Sequence, residues 1–416
     1  FNESPQLIAL LADYAQRLLP IGLLSGIEPE FVPVGQISLL VYQCVGPVFW
    51  IITLLCVWDC LRDRSMVNDA SRHRVDAIIP LGGESMSFMA TWEGNDYWFS
   101  ATGRSAIAYR VSYGIALTVT GPFGDPNEYT EDLTDFATFC TQHSWTPVFY
   151  SVHEPQRAEL AKAGWDSLDV GTEMIVNPNE WQTRGKKWQD VRTAINKAKR
   201  DGITDVLTTF KEAPFSVQTQ IREISAQWAG KKALPEMGFT LGGVDELIDS
   251  RVRLLYAVDG NGKVLGVTSW LPTYRNGTII GWTLDFMRHR TDSVNGIMEF
   301  LIARMAERLR DEGNVEFMSL SAAPLAGMGS NKSEHEESEV LRHALQMVAD
   351  IMEPAYGFHS LFRFKLKFHP DEEKVYICYP DAAKLPQISL AVAQAYVPSL
   401  TPAEAMRFVR TITPHD

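Results

Sequence analysis

The chain has 416 residues, 45% hydrophobic and 21% charged, with 29 Gly and 22 Pro, which is the balance of a globular protein long enough for two domains and an extra segment. Its formal net charge of -13 excludes a general nucleic-acid binder, so any such contact must use a local basic patch. The five cysteines (Cys44, Cys56, Cys60, Cys140 and Cys378) form no CxxC pair and no paired spacing, which reads as free thiols in a reducing compartment or in a membrane.

Residues 5–19 carry apolar side chains at helical spacing and are expected to lie on a membrane interface or to finish an upstream membrane domain. Phe31 to Trp58 contains no charged residue. At ~1.5 Å rise per residue, that run exceeds a hydrocarbon core of ~30 Å, so a transmembrane helix is expected over 31–60, tilted or kinked by Pro33 and Pro47. Arg62, Arg64, Arg72, His73 and Arg74 follow it, whereas Glu28 and Glu30 precede it. The basic flank marks the cytoplasmic side, which places residues 1–30 outside and the remainder in the cytoplasm, at the cell membrane.

The rest reads as two α/β passes. The first spans 76–210. Strands are expected at Ser85–Trp92, Asp96–Ala101, Ser105–Tyr109 and Ile115–Thr120, then helix Glu128–His143, strand Pro147–Val152, helix Glu154–Ala163 and strand Leu168–Asn177. The second spans 211–416. It begins with helix Phe215–Trp228, strands Leu254–Val258, Val264–Leu271 and Thr278–Phe286, and helix Asn295–Asp311. Strand Glu316–Ser321, helix Glu336–Met352 and strand Val375–Tyr379 complete it. Meander strands followed by alternating helix and strand, twice over, predict an α/β (α+β) tandem acetyltransferase-like fold.

Between the passes, 185–201 reads as a basic linker helix with Val191, Ile195 and Ala198 on one stripe. Lys186, Arg192, Lys197, Lys199 and Arg200 cover much of the remainder, with Trp188 among them. Such a face suits phosphates with an aromatic platform, from RNA or from anionic lipid. Farther on, Asp285 and Arg288 stand near the end of an apolar run that starts at Thr278. Strand side chains alternate with period two, so these residues do not share one face of a regular strand. The chain is expected to end or bulge there, aiming charge out of the sheet edge where α/β proteins place their chemistry.

These residues, with Gly82-Gly83-Glu84-Ser85, Gly121-Pro122-Phe123-Gly124-Asp125-Pro126, Val170-Gly171-Thr172-Glu173, Gly238-Phe239-Thr240-Leu241-Gly242, Gly296-Ile297-Met298-Glu299-Phe300-Leu301, Ala323-Pro324-Leu325 and the run Leu361 to Pro370, occur in an order and spacing that resembles the C-terminal region of the phosphatidylglycerol lysyltransferase (multiple peptide resistance factor) family over 76–386. The run after Pro370 departs from the family pattern, reading Asp371-Glu372-Glu373-Lys374-Val375-Tyr376, and the segment Ser330–Glu339 is unusually acidic. The resemblance implies transfer of an aminoacyl group from aminoacyl-tRNA to a membrane lipid hydroxyl of the phosphatidylglycerol or diacylglycerol type, with no cofactor. It implies Asp285 as base or ammonium partner, and Arg288 and Lys367 on a phosphate or the oxyanion. Arg192, Lys197, Arg200, Trp228 and Arg363 are the implied contacts to tRNA or lipid headgroup, and Glu173 matches a further family position.

Other readings of the same fold are an acyl-CoA-dependent acetyltransferase, aminoacyl transfer to a peptidoglycan amine, and a module that only binds anionic lipid. Arg290 to Gly296 makes a poor pyrophosphate cradle. No Gly-x-Ser-x-Gly elbow or Walker motif occurs.

Overall fold

The computed structural model describes residues 35–36, 46–55, 69–229, 238–324 and 358–396, and the chain divides into two compact units, Phe1–Met66 and Val67–Asp416. In the first unit a helix over 46–55 leaves Val48, Phe49, Ile51, Ile52, Leu54 and Leu55 exposed. Among the described residues no helix is long and apolar enough to cross a membrane. The rest of the span expected over 31–60, all of 1–30, the acidic loop at 330–339 and the helix expected over 336–352 lie outside the described residues.

The second unit opens with α1 (Asp69–Ile78), where Arg72 pairs with Glu93 at 2.9 Å and Arg74 stacks on Phe99 at 3.7 Å. Strands β1 (Asp96–Phe99), β2 (Ser105–Ser112) and β3 (Ile115–Thr118) form an antiparallel meander, with β4 (Phe123–Gly124) beside β2. Helix α2 (Tyr129–Gln142) crosses to β5 (Thr146–Val152), parallel to β3, and α3 (Glu154–Lys162), β6 (Asp166–Val176) and α4 (Gln189–Arg200) follow. The second pass starts with β7 (Thr204–Thr208) and α5 (Phe215–Ala229). Strands β8 (Arg253–Val258), β9 (Val264–Arg275) and β10 (Thr278–His289) are antiparallel, and α6 (Ile297–Glu312) crosses to β11 (Phe317–Pro324), parallel to β10. Helix α7 (Phe358–Leu366), β12 (Asp371–Tyr379) and α8 (Leu385–Tyr396) complete the described chain.

The unit β2–β3–α2–β5 therefore recurs as β9–β10–α6–β11: an antiparallel pair, a crossover helix and a parallel strand. The described strands form one sheet in the order β1-β2-β3-β5-β12-β6-β11-β10-β9-β8-β7, with β4 beside β2. The halves meet where β6 pairs antiparallel with β11. The strand expected to close the second pass, β12, lies instead between β5 and β6 of the first.

Helices cover both faces, which is why the central strands are apolar on both sides. Leu301 and Met305 of α6 share one core with Val191 of α4, Trp270 and Met318, and Ile221 of α5 shares another with Val267 and Phe286. The stripe Val191, Ala194, Ile195 and Ala198 buries one side of α4 and leaves Lys199 and Arg200 exposed. The strand expected at Ser85–Trp92 is a short 3-10 helix, Ser87–Thr91. Its apolar residues are buried all round, and the Asn95 amide donates to the carbonyls of Met89, Ala90 and Trp92, so the run closes on itself instead of joining the sheet.

Candidate active site

Asp285 and Arg288 owe their placement to a β-bulge. Leu284 pairs with Trp270 and Met287 with Thr268, so β10 carries one residue more than β9 across this interval. The extra residue breaks the alternation, and both side chains line one cavity of about 180 Å³. Trp228, Thr240, Leu241, Gly242, Ser321, Leu361 and Lys365 share that lining.

Gly242 packs directly against Asp285: a Cβ built on it would overlap the carboxylate, and its backbone N–H donates to Asp285 Oδ1 at 2.9 Å. The other oxygen, Oδ2, is buried and accepts no hydrogen bond among the described residues. Burial pushes the Asp285 carboxyl up to about 7; the Gly242 N–H and Arg288 pull it down, and Glu246 pushes it farther up. Arg288 is buried, its guanidinium 3.4 Å from the Trp228 ring centroid and 4.8 Å from that of Phe286.

Lys365 is 3% exposed, and its Nζ donates to the carbonyls of Ser321 at 3.1 Å and Ala322 at 3.3 Å. Burial lowers its ammonium to about 7, while Glu173 pulls it up. A second cavity, of about 520 Å³, shares Trp228, Met287, Arg288 and Leu361 with the first and opens at Asn295, Gly296 and Ile297, the head of α6. A Cβ on Gly296 would stand 2.9 Å from that of Ala194, so α4 packs against this rim.

The structure brings Asp285, Arg288 and Trp228 together. Lys367 lines neither cavity; it pairs with Glu299 at 2.8 Å in the turn that ends α7, and it is Lys365 that lines the smaller cavity. Leu361 and Lys365 are four residues apart on α7 and line the cavity together. Arg363 is exposed on α7. Arg192 donates from one guanidinium nitrogen to the carbonyls of Thr183 at 2.6 Å and Gly185 at 2.5 Å, which ties down the preceding loop. Lys197 is partly buried and Arg200 exposed. Trp188, expected as an aromatic platform, is buried at 4.8 Å from the centroids of both Trp181 and His369, because the apolar stripe of the linker helix continues into it.

Behind the cavity lies a buried polar chain that the residue pattern did not announce. His153 Nδ1 lies 2.7 Å from Glu84 Oε2, and its Nε2 lies 2.7 Å from Oε2 of the fully buried Glu173. Gln156 Nε2 donates to Glu84 Oε1 at 2.5 Å, and the Ser319 hydroxyl donates to Glu173 Oε1. Burial alone would lower the His153 imidazolium, but the flanking carboxylates hold it well above the usual histidine range. Burial would raise Glu173, but His153 and Ser319 hold it below the usual carboxylate range.

The family model described as "Phosphatidylglycerol lysyltransferase, C-terminal" matches residues 77–379. The chain belongs to this family. It is 34% identical over 403 residues to an uncharacterized protein of Corynebacterium glutamicum, covering 95% of the chain and 50% of that protein. It is 26% identical over 312 residues to the lysylphosphatidylglycerol biosynthesis bifunctional protein LysX of Gordonia bronchialis, covering 74% of the chain and 27% of LysX. The chain thus spans half or less of these relatives' lengths. Among solved structures, L-PGS from Bacillus licheniformis superposes with a TM-score of 0.66 at 22% identity, over 78% of this chain and 94% of that one. The C-terminal domain of a putative lysylphosphatidylglycerol synthetase from Agrobacterium fabrum gives 0.67 at 20%, over 80% and 99%. These two share the fold, and the family is one of transferase domains.

Proposed function

We propose that the chain transfers an aminoacyl group from aminoacyl-tRNA to a hydroxyl of a membrane lipid, phosphatidylglycerol or a diacylglycerol-type acceptor, by ester exchange. One observation carries the reading: an Asp285 carboxyl raised to about 7 shares a small cavity with Arg288 and Lys365, beside a larger cavity at the head of α6. At neutral pH such a carboxylate is a stronger proton acceptor than an ordinary aspartate. The lipid hydroxyl gives its proton to Asp285 as its oxygen bonds to the aminoacyl carbonyl carbon. The carbonyl electron pair moves onto its oxygen, where Arg288 and Lys365 stabilise the charge. Collapse of the tetrahedral intermediate expels the tRNA 3′-ribose oxygen, which takes the proton from Asp285. One ester breaks and one forms.

The names of the LysX relatives support an aminoacyl ester of phosphatidylglycerol as product. The uncharged run Phe31 to Trp58 and the exposed apolar helix over 46–55 fit attachment to the cell membrane with the catalytic unit in the cytoplasm. Lys199 and Arg200, exposed on the helix that packs against the larger cavity's rim, fit the tRNA backbone.

The test supplies the protein, in vesicles of phosphatidylglycerol and diacylglycerol, with tRNA charged with radiolabelled amino acids. Label is expected in a lipid ester identified by mass spectrometry, and RNase is expected to abolish it. Labelling that survives RNase rejects the reading; label in wall peptide amines moves the acceptor to peptidoglycan.

A second reading, acyl-CoA-dependent transfer, is favoured by the larger cavity's position at the head of α6, since helix N-termini attract phosphate. Against it, Arg290 is committed elsewhere, donating to the Val264 carbonyl at 2.8 Å and pairing with Glu223 at 3.5 Å. Micromolar binding of coenzyme A by calorimetry would promote this second reading.

A further inference from the structure

The buried chain behind the cavity runs without a break from α3 in the first half to Lys365 in the second. Gln156 donates to Glu84, Glu84 flanks His153, and His153 reaches Glu173 on β6. Ser319 on β11 donates to Glu173, and the same hydroxyl oxygen accepts the backbone N–H of Ser321 at 2.9 Å. That bond fixes an irregular stretch. Met318 and Ser319 pair with Val176 and Ile175, but the next partners are Ala322 and Glu173, so β11 has one residue to spare, and Ser321 sits at φ 65°, a conformation unfavourable for a side-chain-bearing residue. The two carbonyls this bulge presents, Ser321 O and Ala322 O, hold the Lys365 ammonium.

We propose that His153 is a positioning residue for Lys365, acting through Glu173, Ser319 and the bulged backbone at Ser321. Fully buried Glu173 stays ionised because His153 and Ser319 pair with it, and its charge in turn favours the ammonium form of Lys365. The charged groups facing His153 are Glu84 and Glu173; Lys365 faces Glu173 from behind and shares its cavity with Asp285 and Arg288. The inference rests on the role given to Lys365 above, and its test uses no transfer assay, so the two fail separately.

The pH dependence of Lys365 acetylation by acetic anhydride, read by peptide mass spectrometry against exposed Lys162 in the same protein, gives the pH at which Lys365 loses its proton. In His153→Gln, and in Glu173→Gln, this midpoint is expected to fall by about one pH unit or more, because Glu173 no longer supplies a negative charge. Glu84→Gln, at the far end of the chain, is expected to move it in the same direction by less, and covers the case in which a variant at the buried core fails to fold. Ser319→Ala is expected to raise the acetylation rate at fixed pH, as the bulge loosens its hold. A Lys365 midpoint unchanged in folded His153→Gln and Glu84→Gln overturns the proposal and leaves the chain as scaffolding.

Discussion

Burial makes Asp285 a weak acid, and its behaviour under substitution follows from that. Asp285→Ala removes the proposed proton acceptor and is expected to lower turnover by about 100- to 10,000-fold. The folded carboxyl titrates well above its unfolded value, so its ionisation costs stability at neutral and higher pH. Asp285→Asn is therefore expected to melt no lower than the wild type at pH 8 by circular dichroism while remaining inactive; a large drop in melting temperature would assign Asp285 to the scaffold. The proposed mechanism uses Asp285 deprotonated and Lys365 protonated; burial raises the first to about 7 and lowers the second to about 7, so turnover is expected to follow a narrow bell centred near neutrality. Gly242→Ala should push the carboxylate out of line and cost about 100-fold in kcat, with the fold retained. The Asp285–Arg288 pair was legible in the sequence because a three-residue spacing of charges inside an apolar run conflicts with a regular strand. Lys365 was not: Phe364-Lys365-Leu366-Lys367 offers two lysines, and only the end of α7 at Leu366 decides which one faces inward.

Among the elements, α4 divides its basic residues between two tasks. Arg192 holds the carbonyls of Thr183 and Gly185, so Arg192→Ala is expected to lower thermal stability by about 1–3 kcal/mol through unpaired backbone groups. Lys199 and Arg200 project from the last turn, where they also suit the negative end of the helix. Reversing both to Glu is expected to leave the fold intact, weaken tRNA binding, and flatten the dependence of log K on log salt by about one per lost phosphate contact. Fluorescence titration at several salt concentrations checks it, and an unchanged slope would remove α4 from the tRNA path. The helical stripe and most of the strands and helices between Asp96 and Ser321 were readable from apolar periodicity, whereas β7, α7 and α8 were not expected. Ser85–Trp92 was not, since a run buried on every side carries no period to distinguish strand from turn, and the Asn95 amide that closes it lies outside the run.

For the whole molecule, the charge chain from Glu84 to Glu173 lies within the first pass, reaches the second through the Ser319 hydroxyl, and adds a pH window to stability. The His153 contribution is complete below its unfolded value of about 6.5 and is lost as pH rises through its raised folded value. The Glu173 contribution is present above about 4.5 and is lost as pH falls through its depressed folded value. Breaking the pair with His153→Gln is expected to cost about 3–5 kcal/mol near pH 6, with the gap from wild type closing at strongly alkaline pH, as measured by denaturant titration. Glu84 and Glu173 stood in motifs of the sequence, but their link through His153 and Ser319 was not visible, because these residues are scattered along the chain and meet only in the folded sheet.

The placement of β12 ties the first pass to a segment that is made late. Strands β5 and β6 flank a slot that only residues 371–379 fill. During synthesis the first pass leaves the ribosome with that slot open and two strand edges bare, and it stays so while the entire second pass is translated. The last of the described strands to emerge is thus the one that fills the gap between two early ones, and an interrupted translation product would present the edges that other chains add to.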